Sequence, residues 1–164
     1  MKTITKTFNI YSFGELSEEV QKAVVNKLSD INTDYEWWDG ICEDANIIDC
    51  KIEGFDIDRG RYCKISKGDF HGLTTAKLIL ENHGEKSDTF KLATNFLSDG
   101  DNLENNDEID ENFDLLEENF REDLERDYLK ILIDEYDYRS SEEQIIESIQ
   151  ANEYTFLEDG TIYN

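Results

Sequence analysis

Residues 3–11, "TITKTFNIY", alternate polar and apolar positions and place Ile4, Phe8 and Ile10 on one side. That period of two predicts a strand. From Ser17 the period lengthens. Ser17 reads as an N-cap, Glu18 and Glu19 occupy the positive first turn, and Val20, Ala23, Val24 and Leu28 form an apolar stripe, so a helix is expected here. A second helix is expected over about 33–45, with Trp37, Trp38, Ile41, Cys42 and Ala45 on one broad face and Glu36, Asp39, Glu43 and Asp44 on the other. Residues 50–66, "CKIEGFDIDRGRYCKIS", predict a hairpin: Ile52 and "FDID" on one strand, "RYCKI" on its partner, "DRG" at the turn.

Residues 73–82 return to a helical pattern, with Gly84 placed after His83 as a C-terminal stop. A short helix beginning near Ser87 would bury Phe90, Ala93 and Phe96 or Leu97, and "SDGDNLENND" (98–107) is expected to be a polar loop. Then Phe113, Leu116, Phe120, Leu124, Tyr128, Ile131 and Leu132 recur every three or four residues and predict an amphipathic helix over roughly 110–137. Ser141 with Gln144 offers a capping box for a last helix carrying Ile145, Ile146 and Ile149. "YTFLEDGTIY" closes the sequence as two short strand-like runs around an Asp159–Gly160 turn. The expectation is one α+β domain over 1–164, with short antiparallel hairpins packed on five or six helices and an acidic helical portion at about 101–152.

The 164 residues are enough for a real core, and 38% hydrophobic content is too high for a wholly disordered acidic chain. No run approaches the roughly 18 apolar residues of a membrane span, and the first residues do not form an apolar signal core. Cys42, Cys50 and Cys63 show no metal-ligand spacing and are expected as reduced thiols. These features predict a soluble, cytosolic protein, with no cofactor.

Charge changes the picture most. Residues 1–100 carry 18 acids and 12 bases, net −6, whereas residues 101–164 carry 22 acids and 4 bases, net −18. Within 101–127 there are thirteen acids and two bases. A surface of this sign repels nucleic acid and anionic membranes and attracts basic protein grooves. On a helix over 110–137, Glu111, Asp114, Glu118, Glu122 and Glu125 are spaced 3, 4, 4 and 3 and are expected to form one solvent-facing ridge, flanked by Glu117, Asp123 and Asp127. Like-charge pairs at such spacings cost about 0.2–0.5 kcal/mol each, which the apolar stripe absorbs. At about 1.5 Å of rise per residue the acids fall roughly every 3 Å, close to the spacing of about 3.4 Å between phosphates of a DNA strand. The plain structural explanation is a solvated face. The functional one is a carboxylate ridge that enters a groove built for phosphates.

Other candidate chemistry is weaker. The loop after Asp99 fails the EF-hand pattern, with Glu104 where glycine is required. Asp56 and Asp58, two apart on one strand, would be a metal or acid–base pair, or simply hairpin charges meeting Arg59 and Arg61. His71 and His83 lack a nucleophile at useful spacing, and Tyr35, Trp37 and Trp38 offer an aromatic anchor or, for at least one tryptophan, core.

The segments "ELSEEVQKAVVNKLSDINTDYEWWDGICEDA", "GFDIDRGRYCK", "ILENHG" and "FLEDGTIY" resemble a recurrent kind of small phage and prophage protein. The resemblance implies an accessory gene of a mobile element, expressed in the bacterial host cytoplasm, and by gene type and charge the chain is similar to anti-restriction and anti-CRISPR DNA mimics. It transfers no catalytic residue. The leading expectation is therefore a non-enzymatic inhibitor whose partner is a basic nucleic-acid-binding protein, a CRISPR effector nuclease before a restriction enzyme. An adaptor for a basic host protein outside defence and a small metal-dependent enzyme centred on Asp56 and Asp58 stand as alternatives.

Overall fold

The computed structural model describes residues 1–103 and 109–163, and for 103 and 109–111 the backbone alone. The fold is α+β: six α-helices and short antiparallel strand pairs among the described residues. The chain forms two compact units, residues 1–37 with 135–164, and residues 38–134.

In the first unit, β1 (Tyr11–Ser12) pairs antiparallel with β4 (Thr155–Phe156), Tyr11 opposite Phe156. A 3₁₀ turn at Phe13–Glu15 leads to α1 (Glu18–Lys27), which begins as expected: the Ser17 hydroxyl accepts from the Val20 N–H. α6 (Glu142–Ala151) begins the same way, with Ser141 accepting from Gln144 N–H. Phe13, Leu16, Val24, Val25, Ile145, Ile149 and Phe156 make the core. Val25 takes the buried place expected for Ala23, which is exposed.

Two expectations fail in this unit. The strand over 3–11 is reduced to its last residue. The antiparallel register would oppose Asn9 to Glu158, but there the chain turns back through Asp159 and Gly160, so residues 3–10 find no partner strand. The helix expected from residue 33 starts only at Asp39, in the second unit. Residues 28–34 form tight turns instead, held by the Asn32 side chain. Its amide donates to Arg139 O at 3.1 Å and its carbonyl accepts from Ser148 Oγ at 2.6 Å.

Gly160 closes the final turn with φ at 80°, and a Cβ there would lie 2.9 Å from both Val20 Cγ1 and Val24 Cγ2. Gly160→Ala is therefore strained in backbone and in space, and we expect a loss of about 1–3 kcal/mol. Urea unfolding of the variant beside the parent checks this. A change within experimental error would show that α1 can yield at this point.

In the second unit, α2 (Asp39–Ile47) precedes β2 (Ile52–Asp56) and β3 (Tyr62–Ile65), the expected hairpin, with a bulge between Ile52 and Gly54. α3 (Gly72–Asn82) and α4 (Asp88–Leu103) pack against each other. Gly84 is not a left-handed stop: α3 ends because His83 is extended, and the Gly84 carbonyl accepts from the Ser87 hydroxyl. α4 also runs through residues 98–103, expected as loop, because Phe96 and Gly100 have Phe113 to pack on. The rest of that expected loop, 104–107, lies outside the described residues.

The long helix α5 spans Ile109–Arg139, close to expectation, and its residues up to Asp134 belong to this unit. Phe120, Leu124, Tyr128 and Leu132 are its buried line.

Candidate functional site: the acidic helix

The five acidic positions expected as a ridge along α5, Glu111, Asp114, Glu118, Glu122 and Glu125, do not all face solvent. Asp114 and Glu122 are exposed. Glu111 lies in the first turn, and its side chain is outside the described residues. Glu125, expected on the outer face, turns inward: its side chain is 18% exposed, pairs with the Arg121 guanidinium, and accepts the Ile65 N–H at 2.9 Å. Glu118 accepts from Lys67 Nζ at 2.6 Å and from Arg121 Nη2 at 2.8 Å. Glu117 accepts the N–H of Gly72.

The reason is helix geometry. The buried residues 120, 124, 128 and 132 are four apart, and a step of four overshoots a 3.6-residue turn by about 40°. The buried face winds around α5, so a ridge that faces solvent at Asp114 approaches the interior by Glu125.

Each inward carboxylate has a structural task. Gly72 N–H is an orphan donor at the start of α3, where His71 supplies no side-chain cap, so Glu117 caps α3 from another helix. A Cβ on Gly72 would meet Glu117 Oε1 at 2.9 Å and Phe96 Cζ at 2.8 Å, which is why glycine stands there. Glu125 satisfies an outward N–H on the free edge of β3. Arg121, 5% exposed, holds Glu118 and Glu125 in place. The hydrogen bond from Lys67, with that from Arg121, keeps the Glu118 carboxyl below its ordinary pKa.

Further along, Asp123 pairs with Arg126. Asp127 is half-buried, and burial, aided by the neighbouring Asp88, raises its carboxyl above the usual range. Asp88 itself binds Lys91 at 2.7 Å and Lys130 at 3.3 Å, and the Lys91 hydrogen bond leads in holding its pKa down.

Sequence reasoning missed Arg121 and Lys67 as parts of this arrangement. The available signal was Arg121 itself, the first base after a long acidic run, with Glu118 three before it and Glu125 four after it. A cavity of about 280 Å³ opens beside this network, lined by Lys67, Phe70, Asp114, Glu117, Glu118 and Arg121. Both of its cations already lie on Glu118.

The hairpin pair is corrected as well. Asp56 ends β2, but Asp58 lies in the loop and does not share its face. The Asp56 carboxylate accepts the N–H groups of Asp58, Arg59 and Gly60 at 2.8, 3.1 and 3.0 Å, and those bonds, Asp58 foremost, lower its pKa. It braces a turn, and no cluster able to hold a metal occurs among the described residues.

His71 is exposed at the start of α3. His83 is nearly buried, its Nδ1 2.7 Å from Thr89 Oγ1 and its Nε2 3.5 Å from Asp44 Oδ1, while Tyr128 donates to Asp44 Oδ2 at 3.0 Å. An acid, an imidazole and a hydroxyl in a row is the layout of a nucleophile system. Thr89 is only 3% exposed, however, so no substrate reaches it, and the row ties four helices together.

The three cysteines are free thiols. Burial pushes both Cys50 and Cys63 up to about 12, which makes them inert. Trp37 is buried against Tyr136 in the first unit, and Trp38 packs on Phe55 in the second. Of the aromatic trio Tyr35 alone is exposed, with its hydroxyl accepting from Arg139.

No helix among the described residues is long and apolar enough to cross a membrane. No protein-family model matches the chain, and comparison with curated proteins and with solved structures finds no match.

Proposed function

We propose that the protein is a non-enzymatic inhibitor from a phage or mobile element. It occupies the basic nucleic-acid groove of a host defence nuclease, a CRISPR effector before a restriction enzyme, and sets carboxylates where that groove takes phosphates. One observation carries the reading. From Leu92 to Phe120 there are ten acids and no lysine or arginine. Seven of the ten stand on α4 and α5, which pack on each other through Phe96 and Phe113, centroids 6.0 Å apart.

Asp99 and Asp101 stand on α4 and Asp114 on α5, the two helices that this ring contact joins in the second unit. Glu122 extends the exposed charge along α5. Glu117, Glu118 and Glu125 support the scaffold and contribute field more than contact. Carboxylates near the start of α5 are also favoured by its dipole, so this density costs less than repulsion alone implies. A groove that gains affinity by releasing counterions from phosphate responds in the same way to such a surface, with steep salt dependence.

The test is capture from nuclease-treated bacterial lysate across a salt series, with bound proteins identified by mass spectrometry. The expected result is a single nuclease or CRISPR effector, lost at moderate salt and displaced by added DNA. A salt-resistant partner that DNA leaves in place would instead support an adaptor outside defence.

With the partner in hand, Asp114→Lys with Glu122→Lys should weaken binding by about tenfold or more, mainly through slower association. Glu81→Lys with Glu85→Lys, also exposed and in the same unit, is the matched control. Equal losses from both pairs would reduce the acidic helices to general field.

A further inference from the structure

The first unit carries an aromatic patch that the acidic-helix reading leaves without a role. Tyr35 is 52% exposed and Tyr136 is 37% exposed, so both side chains present area to solvent.

Both are held from behind. Trp37, itself buried, packs on Tyr136 with ring centroids 5.6 Å apart and planes at 54°. Arg139 Nη1 donates to the Tyr35 hydroxyl at 2.7 Å, and Arg139 Nε donates to Glu135 Oε1 at 2.7 Å. The Arg139 carbonyl is tied down in turn by the Asn32 amide at 3.1 Å. Tyr136 and Arg139 are three apart on α5 and so are neighbours on one face of it. Tyrosines fixed in this way meet a partner at little cost in side-chain entropy, and tyrosine is among the residues that carry most of the binding energy at interfaces.

Local charge decides what covers the patch. Segments 28–37 and 135–164 hold eleven acids and one base, Arg139, and that base is committed to Glu135 and Tyr35. Asp34 and Glu36 flank Tyr35 in the chain, and Asp137 follows Tyr136. All three are exposed, and none makes an ion pair among the described residues. The surroundings therefore select a cation. Arg139 shows which kind: its guanidinium carbon lies 6.0 Å from the Tyr35 ring centroid, within the range of a cation–π contact.

We propose that this patch docks an arginine of a basic protein partner. The incoming guanidinium lies on the exposed part of Tyr136, and Asp34, Glu36 and Asp137 supply the attraction. Glu135 neutralises Arg139, so the second cation is not opposed. Arginine suits the patch better than lysine, because a planar guanidinium stacks on a ring and is more weakly hydrated than an ammonium group. The inference rests on the partner being basic, as proposed above, but does not require it to be a nuclease.

The test is an NMR titration of the whole chain at physiological salt with a Gly–Ser peptide bearing two arginines, following the tyrosine ring signals. The same peptide with two lysines or with two glutamines is run beside it. The arginine peptide should move the Tyr35 and Tyr136 signals and bind about two- to fivefold more tightly than the lysine peptide. The glutamine peptide should leave both signals in place. Tyr136→Leu keeps apolar cover over Trp37 without an aromatic face, and should weaken the arginine peptide by about two- to fivefold. Tyr136→Phe should restore the parent affinity. Circular dichroism and the urea midpoint report whether Tyr136→Leu is folded, and the comparison of arginine with lysine on the parent chain holds in either case. Asp114→Lys with Glu122→Lys, on the acidic helix, should leave the Tyr136 shift intact. That result, with the loss in Tyr136→Leu, supports the patch even if no nuclease is ever captured. Equal affinity for the arginine and lysine peptides, parent affinity in a folded Tyr136→Leu, or equal shifts from the glutamine peptide overturns the proposal and leaves the acidic-helix reading standing.

Discussion

Replacing Arg121 by alanine is expected to cost about 3 kcal/mol of stability, with urea unfolding shifted to markedly lower midpoint. The guanidinium is 6% exposed and binds Glu118 and Glu125. Its removal leaves the 18% exposed Glu125 carboxylate with the Ile65 N–H as its one hydrogen-bond donor among the described residues. Breaking a buried pair in this way typically costs about 3–5 kcal/mol. The lower end applies because Glu118 is 38% exposed and keeps Lys67. Arg121→Met with Glu125→Gln separates charge from packing. Methionine restores apolar contact, and the neutral amide still accepts from Ile65. The double variant should recover at least about 1 kcal/mol over Arg121→Met alone. If Arg121→Ala falls within about 0.5 kcal/mol of the parent, like an ordinary surface change, the network is ornamental and Glu118 and Glu125 return to the free ridge.

Phe120→Ala is expected to be as damaging for a different reason. Phe120 is 3% exposed, stacks on Phe96 with centroids 4.4 Å apart and planes 16° from parallel, and meets Phe70 at 6.0 Å. Phe96 in turn touches Phe113. The loss combines transfer energy with a cavity that three rings cannot collapse to fill, at about 3–5 kcal/mol. Against a typical total of about 5–15 kcal/mol this approaches unfolding. At about 2–4 °C per kcal/mol for a chain of this size, thermal melting should fall by roughly 6–20 °C. Phe120→Leu, which keeps most of the volume, should lose less than half as much. Equal losses from alanine and leucine would mean that ring stacking, not volume, holds the cluster.

These two residues also bear on the proposed function. The exposed acids of α4 and α5 are useful as a phosphate surrogate only if they are held in register. The aromatic cluster holds the two helices together, and the Arg121 network fixes α5 against β3 and α3. Either substitution should therefore weaken partner binding without touching an exposed carboxylate. Asp114→Lys with Glu122→Lys should do so without loss of stability.

Much of the fold was legible in the chain because its signals are local. Ser17 and Ser141 cap helices through N–H groups three residues away. The hairpin at 52–65 is set by alternation and a short polar turn, and α5 by seven apolar residues at helical spacing. The acidic bias is composition and needs no structure at all.

What failed was every inference that depended on a distant partner. Residues 3–10 have the pattern of a strand, but β4 turns away after two residues. α4 lengthens past its polar tail because Phe113 waits across the gap in sequence. Glu117, Glu118 and Glu125 look like surface charge from their spacing, yet they serve Gly72 N–H, Lys67 with Arg121, and Ile65 N–H, up to 60 residues away. Periodicity says which side of a helix is apolar. It does not say how far the buried face winds, or which orphan donor of another element lies over a given carboxylate. A buried N–H must find an acceptor, and only the tertiary structure decides which one. Alone, the sequence determined the hairpin, most of the helices with their apolar faces, and the total of negative charge. Tertiary packing divided that charge into carboxylates that hold the protein together and carboxylates left to meet something else.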